Sequence, residues 1–331
     1  MKKVFMIMIS ILAVAALTVY SVSLVAAKTD KGDLVVTSKK VRSAPTDASS
    51  PQWKDAEKAK IVVTGAGTVE GNINTIKVRS VYTKDEVFFL FQWHDYNKSM
   101  NKNSWKFTGG KWIKQKGDED RLGVVWEINR IDKFATKGCT VLCHNEAKNH
   151  EDWYYAVSSP SEKADLWHWK AVRSNPVGYT EDGYVTINPS KKPEEGRKRD
   201  AGSEAKAKSN RTKDKSKPAY MQNPSKAPSI PGSLLVSEAV GITGKSKFKE
   251  GDEIPGYRLN RVWKGSFADV KTKGVWQNGK WSVMVRRKLQ TGHDDDVQFN
   301  TRKTYPFSIA VFDNAHEHNS YNAEPLKLKF K

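Results

Sequence analysis

The only two cysteines of this 331-residue chain stand four positions apart, at Cys139 and Cys143, and His144 follows the second directly. Two thiols beside an imidazole are what covalent haem attachment needs. The sulfurs add to the two vinyl groups of the macrocycle, and the histidine is placed to bind iron. The usual signature is C-x-x-C-H; here the gap is three residues. Two cysteines in an oxidising compartment more commonly form a disulfide. A pair this close shuts a very small loop, however, removes little chain entropy and leaves His144 without a role. Zinc usually takes four ligands in paired spacings, and no second cysteine pair exists. On local sequence alone, haem, disulfide and zinc all stay open.

The N-terminus bears on that choice. Lys2 and Lys3 precede an uncharged stretch from Val4 to Ala27, and Val25-Ala26-Ala27 makes an acceptable small-residue cleavage site. Residues 1–27 therefore read as an export signal that sends 28–331, a single domain, to the periplasm or an equivalent extracytoplasmic compartment. A run of roughly 20 apolar residues can also span a bilayer, so an uncleaved membrane anchor is the alternative. No other stretch is long and apolar enough to span a membrane.

A hydrophobic content of 38% can support a core, and eleven tryptophans make it aromatic-rich. The formal charge of +19 suits an acidic partner or an anionic surface; export argues against nucleic acid. Residues 191–226 carry twelve Lys/Arg against five Asp/Glu, with no aromatic residue before Tyr220. An insert at about 189–228 is thus expected as a solvated basic loop.

The elements that must position the Cys/His run read as β. Thr75–Tyr82 and Val87–Trp93 flank Lys84-Asp85-Glu86 as a hairpin. Arg121–Ile128 forms a further apolar run. Val270–Trp276 and Trp281–Arg287 flank Gln277-Asn278-Gly279-Lys280, and Asn-Gly is the strongest short hairpin signal. Phe307–Phe312 and Leu326–Phe330 complete the set. The expected fold class is mainly β, an antiparallel β-sandwich with long loops, and loops on such a scaffold commonly carry the site.

Several segments together resemble the haem-binding domain family of ethylbenzene-dehydrogenase-type γ subunits, also described as the cytochrome c-552/DMSO-reductase-like haem-binding domain. They are Phe89–Asp95, Glu119–Trp126, Gly138–His144, Ala164–Ala171, Gly196–Gly202, the region of Arg287 to Gly292 with Asp296, and Ile309–Asn314, and they span roughly residues 50–330. Within the family the nearest resemblance is to γ subunits of nitrite oxidoreductases. The resemblance implies a β-sandwich with one haem at its edge. It also implies a non-catalytic electron-transfer role beside a molybdopterin catalytic subunit and an iron–sulfur subunit, with a soluble cytochrome-type carrier as outside partner.

Members with b-type haem take iron ligands from a Met in the loop before the Trp-rich segment and from a Lys in the last loop. This chain departs from them, because that loop holds Cys139, Cys143 and His144. The resemblance therefore implies c-type haem attached at Cys139 and Cys143, with His144 on the iron; a b-type haem or a second haem stays open. The last-loop position falls near His316 and His318. His318 is the expected opposite ligand, with His316, Met221, Lys288 and Lys170 as alternatives. Trp126, Trp167, His168 and Trp169 are expected around the haem, with His168 as a hydrogen-bonded histidine rather than a ligand. The competing reading is a haem-free carbohydrate- or surface-binding sandwich with a Cys139–Cys143 disulfide.

Overall fold

Side-chain alternation with a period of two governs the fold. The computed structural model describes residues 34–315, 320–323 and 325–331; the expected export signal at 1–27 lies outside them. In Glu86–His94, Val87, Phe89, Phe91 and Trp93 enter the main core, while Phe88 and Leu90 join a second cluster with Trp53, Val81 and Met284. A strand covered on both faces reads as a near-continuous apolar run, which is what Val87–Trp93 is.

Thirteen strands form one hydrogen-bonded sheet that folds over on itself. One wall runs Arg197–Arg199, Gly183–Val185, Ala164–Lys170, Arg121–Glu127, Thr304–Phe312. The other runs Ala59–Gly65, Ile73–Tyr82, Glu86–His94, Lys280–Lys288, Lys271–Trp276. Tyr321–Ala323 joins the walls by pairing with Thr304–Phe312 and Ala59–Gly65. Leu34–Lys40 joins them again, running parallel to both Leu326–Phe330 and Ile73–Tyr82. The result is a β-sandwich in which every other pairing of the large sheet is antiparallel.

Aromatic rings hold the walls together. Trp126 stacks on Phe307 with centroids 4.5 Å apart and meets Trp167 at 5.2 Å and Phe89 of the facing wall at 5.5 Å. Trp169 meets Trp281 of the facing wall at 4.8 Å. Such pairs add to the free energy of simple burial.

All seven strands expected from the sequence are present, with ends shifted by no more than a few residues. The Asn-Gly hairpin has Asn278 at φ 51° and Gly279 at φ 66°, the left-handed pair that a tight two-residue turn requires. The strand Ala164–Lys170 was not expected, because burial on both faces erases its alternation. The basic segment at 189–228 differs from expectation. It contains the short strands Arg197–Arg199, Lys208–Ser209 and Tyr220–Gln222, each paired with a distant segment. Asn210, fully buried, donates to the carbonyls of Tyr220 and Pro255. Partners far away in sequence order a segment whose own composition reads as solvated.

Trp126→Ala should lower the unfolding free energy by about 3–5 kcal/mol, since the ring is fully buried among four others. Urea denaturation followed by circular dichroism measures this; a loss below about 1 kcal/mol would contradict the assigned role of the ring cluster.

Candidate functional site

Residues 128–163 cross from Arg121–Glu127 to Ala164–Lys170 and pack over the outer face of the first wall, opposite the main core. Inward-facing Leu122, Val124 and Trp126 belong to the main core, whereas outward-facing Val125 belongs to a cluster with Phe134, Leu142, Cys143, Tyr155 and Leu166. Phe134 and Leu142 are fully buried and fasten the crossover down. Glu162 ties its two ends by accepting the backbone N–H groups of Asp132 and Ser158 at 2.9 and 2.8 Å.

Within the crossover, Gly138–Val141 forms a helical turn, and the Cys143 N–H donates to the Cys139 carbonyl at 2.8 Å. That turn explains the off-pattern spacing. Residues four apart on a helical turn lie on one face, so both sulfurs point the same way and His144 follows at once. Gly138 stands at φ 56°, and a Cβ there would overlap Ser308 Oγ, so only glycine lets the turn approach the sheet. Ser308 Oγ in turn accepts the Cys139 N–H at 3.1 Å. Cys139 and Cys143 are bonded to each other, with Cα atoms 5.6 Å apart.

Cys139, Cys143 and His144 line a small cavity of about 40 Å³ between this turn and the sheet. Its floor is Gly123, Val125, Leu166, His168, Ser308, Ala310 and Phe312, with Tyr155 and Ser320 at the sides. The imidazole of His144 stacks on Trp153 with centroids 3.8 Å apart.

His168 is the buried polar group of the floor. Burial, reinforced by Arg197, Lys170 and Arg121, pushes it well below the ordinary histidine range, so it is neutral. Arg197 Nη2 lies 2.7 Å from His168 Nδ1. Because a guanidinium can only donate, Nδ1 must accept and Nε2 must carry the proton. Nε2 is buried without a hydrogen-bond partner among the described residues. A metal-ligating histidine usually donates its other ring N–H to an acceptor, and Arg197 reverses that polarity. His168 therefore offers the cavity a hydrogen-bond donor.

The other expected residues are placed differently. Trp126, Trp167 and Trp169 were expected around the haem, but they do not line the cavity. The pleat turns them into the main core while Leu166 and His168 face the cavity. Lys170 is committed to Glu181, Nζ to Oε2 at 2.5 Å, and is absent from the cavity lining. Burial alone would raise the Glu181 carboxyl, yet Lys170, Arg173 and Arg197 hold it at about 2. Lys288 is exposed at the end of a strand of the other wall, and Met221 sits in a small two-stranded ribbon with Ala239–Gly241. His316 and His318 lie outside the described residues. The sequence did not single out Arg197, Tyr155 or Ser308. Gly196-Arg197 belongs to a resembling segment, but nothing local ties Arg197 to a histidine 29 positions away.

The structure is similar to a family 9 carbohydrate-binding module from Caldicellulosiruptor kristjanssonii, with 9% identity, a TM-score of 0.37, and coverage of 90% of this chain and 95% of the other. It is similar as well to a carbohydrate-binding protein from Bacteroides uniformis, with 10% identity, a TM-score of 0.40, and coverage of 91% and 100%. No curated protein matches the chain in sequence. The family profile described as ethylbenzene dehydrogenase matches residues 50–323. That match takes in both walls of the sandwich, the crossover with Cys139 to His144 and the strand that carries His168, and the chain belongs to the ethylbenzene dehydrogenase family.

Proposed function

We propose that this protein is the haem-carrying, γ-type electron-transfer subunit of an exported molybdenum enzyme, of the nitrite oxidoreductase type. One observation carries the reading: Cys139, Cys143 and His144 converge on a single largely apolar cavity whose floor presents a buried donor, His168. Family membership supports association with a molybdopterin catalytic subunit and an iron–sulfur subunit.

The residues present fit a c-type haem. Cys139 and Cys143 supply two sulfurs from one face of a helical turn, and His144 supplies an imidazole beside them. Val125, Leu166, Ile309 and Phe312 supply apolar walls. The bound group would contribute one-electron redox chemistry, its potential set by the axial ligands, nearby hydrogen bonds and burial. The chain's own work is to hold it, to exclude water and to offer the His168 Nε2–H to an acceptor. Ser320, two residues after His318 in sequence, lines the cavity; His318, or alternatively His316, would supply a further ligand to the iron. The net charge of +19 would steer an acidic soluble carrier.

A second reading rests on the bond between Cys139 and Cys143. The same sulfurs cannot be a disulfide and two thioethers, so a chain that stays oxidised would be a haem-free binding sandwich. Producing the protein with haem-attachment machinery and recording a pyridine haemochrome spectrum separates the two. Covalent haem is expected, lost on replacing both cysteines by Ala; His144→Ala should abolish the native low-spin spectrum, while His168→Ala should retain covalent haem. Absence of covalent haem in the parent chain would leave the second reading standing.

The neutral state of His168 also predicts a pH dependence of stability. Its folded pKa lies below the ordinary 6.5, so the unfolded chain binds the extra proton first. This contribution is complete above about pH 6.5 and is lost as the pH falls toward the folded value, at up to about 1.4 kcal/mol per unit. Urea titrations of the haem-free protein at a series of pH values should show this loss, and His168→Gln should flatten it. An identical pH profile in parent and variant would refute a neutral buried His168.

A further inference from the structure

A second concentration of chemistry lies at the end of the sandwich, on the opposite side of the Ala164–Lys170 strand from Leu166 and His168. Carboxylates from four separate segments meet there. Asp165 opens that strand, Asp182 precedes Gly183–Val185, Asp200 follows Arg197–Arg199, and Asp296 lies in the loop after Lys280–Lys288. Each is at most 2% exposed. Oxygens of Asp165, Asp182 and Asp296 lie within 4.8 Å of one another, and Asp296 groups within the same limit with Asp200 and Asp295.

Arg287 is the buried cation that reaches the group. Its Nη1 lies 2.6 Å from Asp165 Oδ2 and 3.4 Å from Asp296 Oδ1, and the exposed His293 adds its Nδ1 3.6 Å from Asp296 Oδ2. One guanidinium and one exposed imidazole cannot neutralise four carboxylates. Independently of the grouping, Asp165 Oδ1, Asp182 Oδ2 and both oxygens of Asp200 and Asp296 are buried without a hydrogen-bond partner among the described residues. The nearby buried carboxylates behave otherwise, since Glu181 meets Lys170 and Glu119 meets Arg173. Uncompensated buried charge costs several kcal/mol per ion, so the group must bind either protons or a cation. Burial pushes Asp165 up to about 7 and Asp200 up to about 9, and raises Asp182 and Asp296 too.

We propose that Asp165, Asp182, Asp200 and Asp296 form a calcium site that fastens the Asp294–Val297 loop to the end of the first wall. The donors are all hard oxygens, which suit Ca²⁺ over the nitrogen- and sulfur-seeking Zn²⁺. Ca²⁺ takes six to eight oxygens in flexible geometry, whereas Mg²⁺ demands a near-ideal octahedron and keeps several of its waters. Four aspartates from four segments suit the larger ion. Bound there, it would add a link between the Asp294–Val297 loop and the paired strand ends of the first wall, so its effect should appear as stability.

The test uses the full chain stripped with a chelator. Thermal unfolding with Ca²⁺ at a hundredfold excess over its Kd should rise by about 5–10 °C, and Mg²⁺ at the same concentration should give less. Asp182→Asn and Asp200→Asn should each remove the calcium-dependent rise. Tb³⁺ luminescence excited through tryptophan provides a readout on the unmodified chain, should a variant fail to fold, and added Ca²⁺ should quench it. No rise with Ca²⁺ and no Tb³⁺ signal would overturn the site and leave the cluster as a store of buried protons. A calcium-dependent rise that survives in both folded variants would overturn the assignment to these residues. Neither outcome depends on whether haem is attached.

Discussion

The strand Ala164–Lys170 is buried on both faces, and the rest of the molecule depends on that constraint. Successive side chains must point to opposite sides of a pleated strand. One side receives Asp165, Trp167 and Trp169, and the other receives Leu166, His168 and Lys170. The first set joins the two walls and reaches the acidic cluster; the second builds the cavity floor and the Lys170–Glu181 pair. A shift of register by one residue would exchange the sets. It would place an arginine-bound histidine in an aromatic core and two indoles against the Cys/His turn. The stability of the sandwich and the chemistry of the cavity are thus set by the same hydrogen-bond ladder.

The crossover shows how a loop gains the precision of a regular element. Its apolar anchors Phe134 and Leu142 flank Cys139, and Cys143 and His144 follow Leu142 directly, so every reactive group lies within a few residues of a fixed point. Gly138 removes the steric obstacle and Ser308 satisfies the first backbone N–H of the pair. Within a sheet-covering segment of mostly irregular structure, the one place where two sulfurs and an imidazole face a cavity is also the place tied directly to the sheet.

Much of this was legible in the sequence, for reasons that particular residues make plain. Val87–Trp93 announced a strand through its apolar content, and Val270–Trp276 and Trp281–Arg287 through the Asn278-Gly279 turn between them, which are local signals. The Cys139 to His144 run announced itself by residue type. The tryptophans were legible as important but not as to direction: in a strand without polar alternation, nothing local tells Trp167 from His168 as the residue that faces the core. Arg197 and the four aspartates were illegible as partners, because their meaning arises only when segments as far apart as Asp165 and Asp296 are brought together by the sheet. The basic segment misled for the same reason, its order coming from strands at Tyr257 and Ala239 rather than from itself.

Leu34–Lys40 lies parallel between Leu326–Phe330 and Ile73–Tyr82, and its end is held by the Lys40 N–H to the Lys331 carbonyl at 3.1 Å. A chain emerging from the ribosome makes Leu34–Lys40 long before Leu326–Phe330, so this corner stays an open strand edge until the later strand is made. Contacts of such sequence separation slow folding, because loop closure must precede them. An unpaired edge is also a template for association with other chains. The clasp that completes the sandwich therefore leaves Leu34–Lys40 exposed to such pairing until Leu326–Phe330 takes its place beside it.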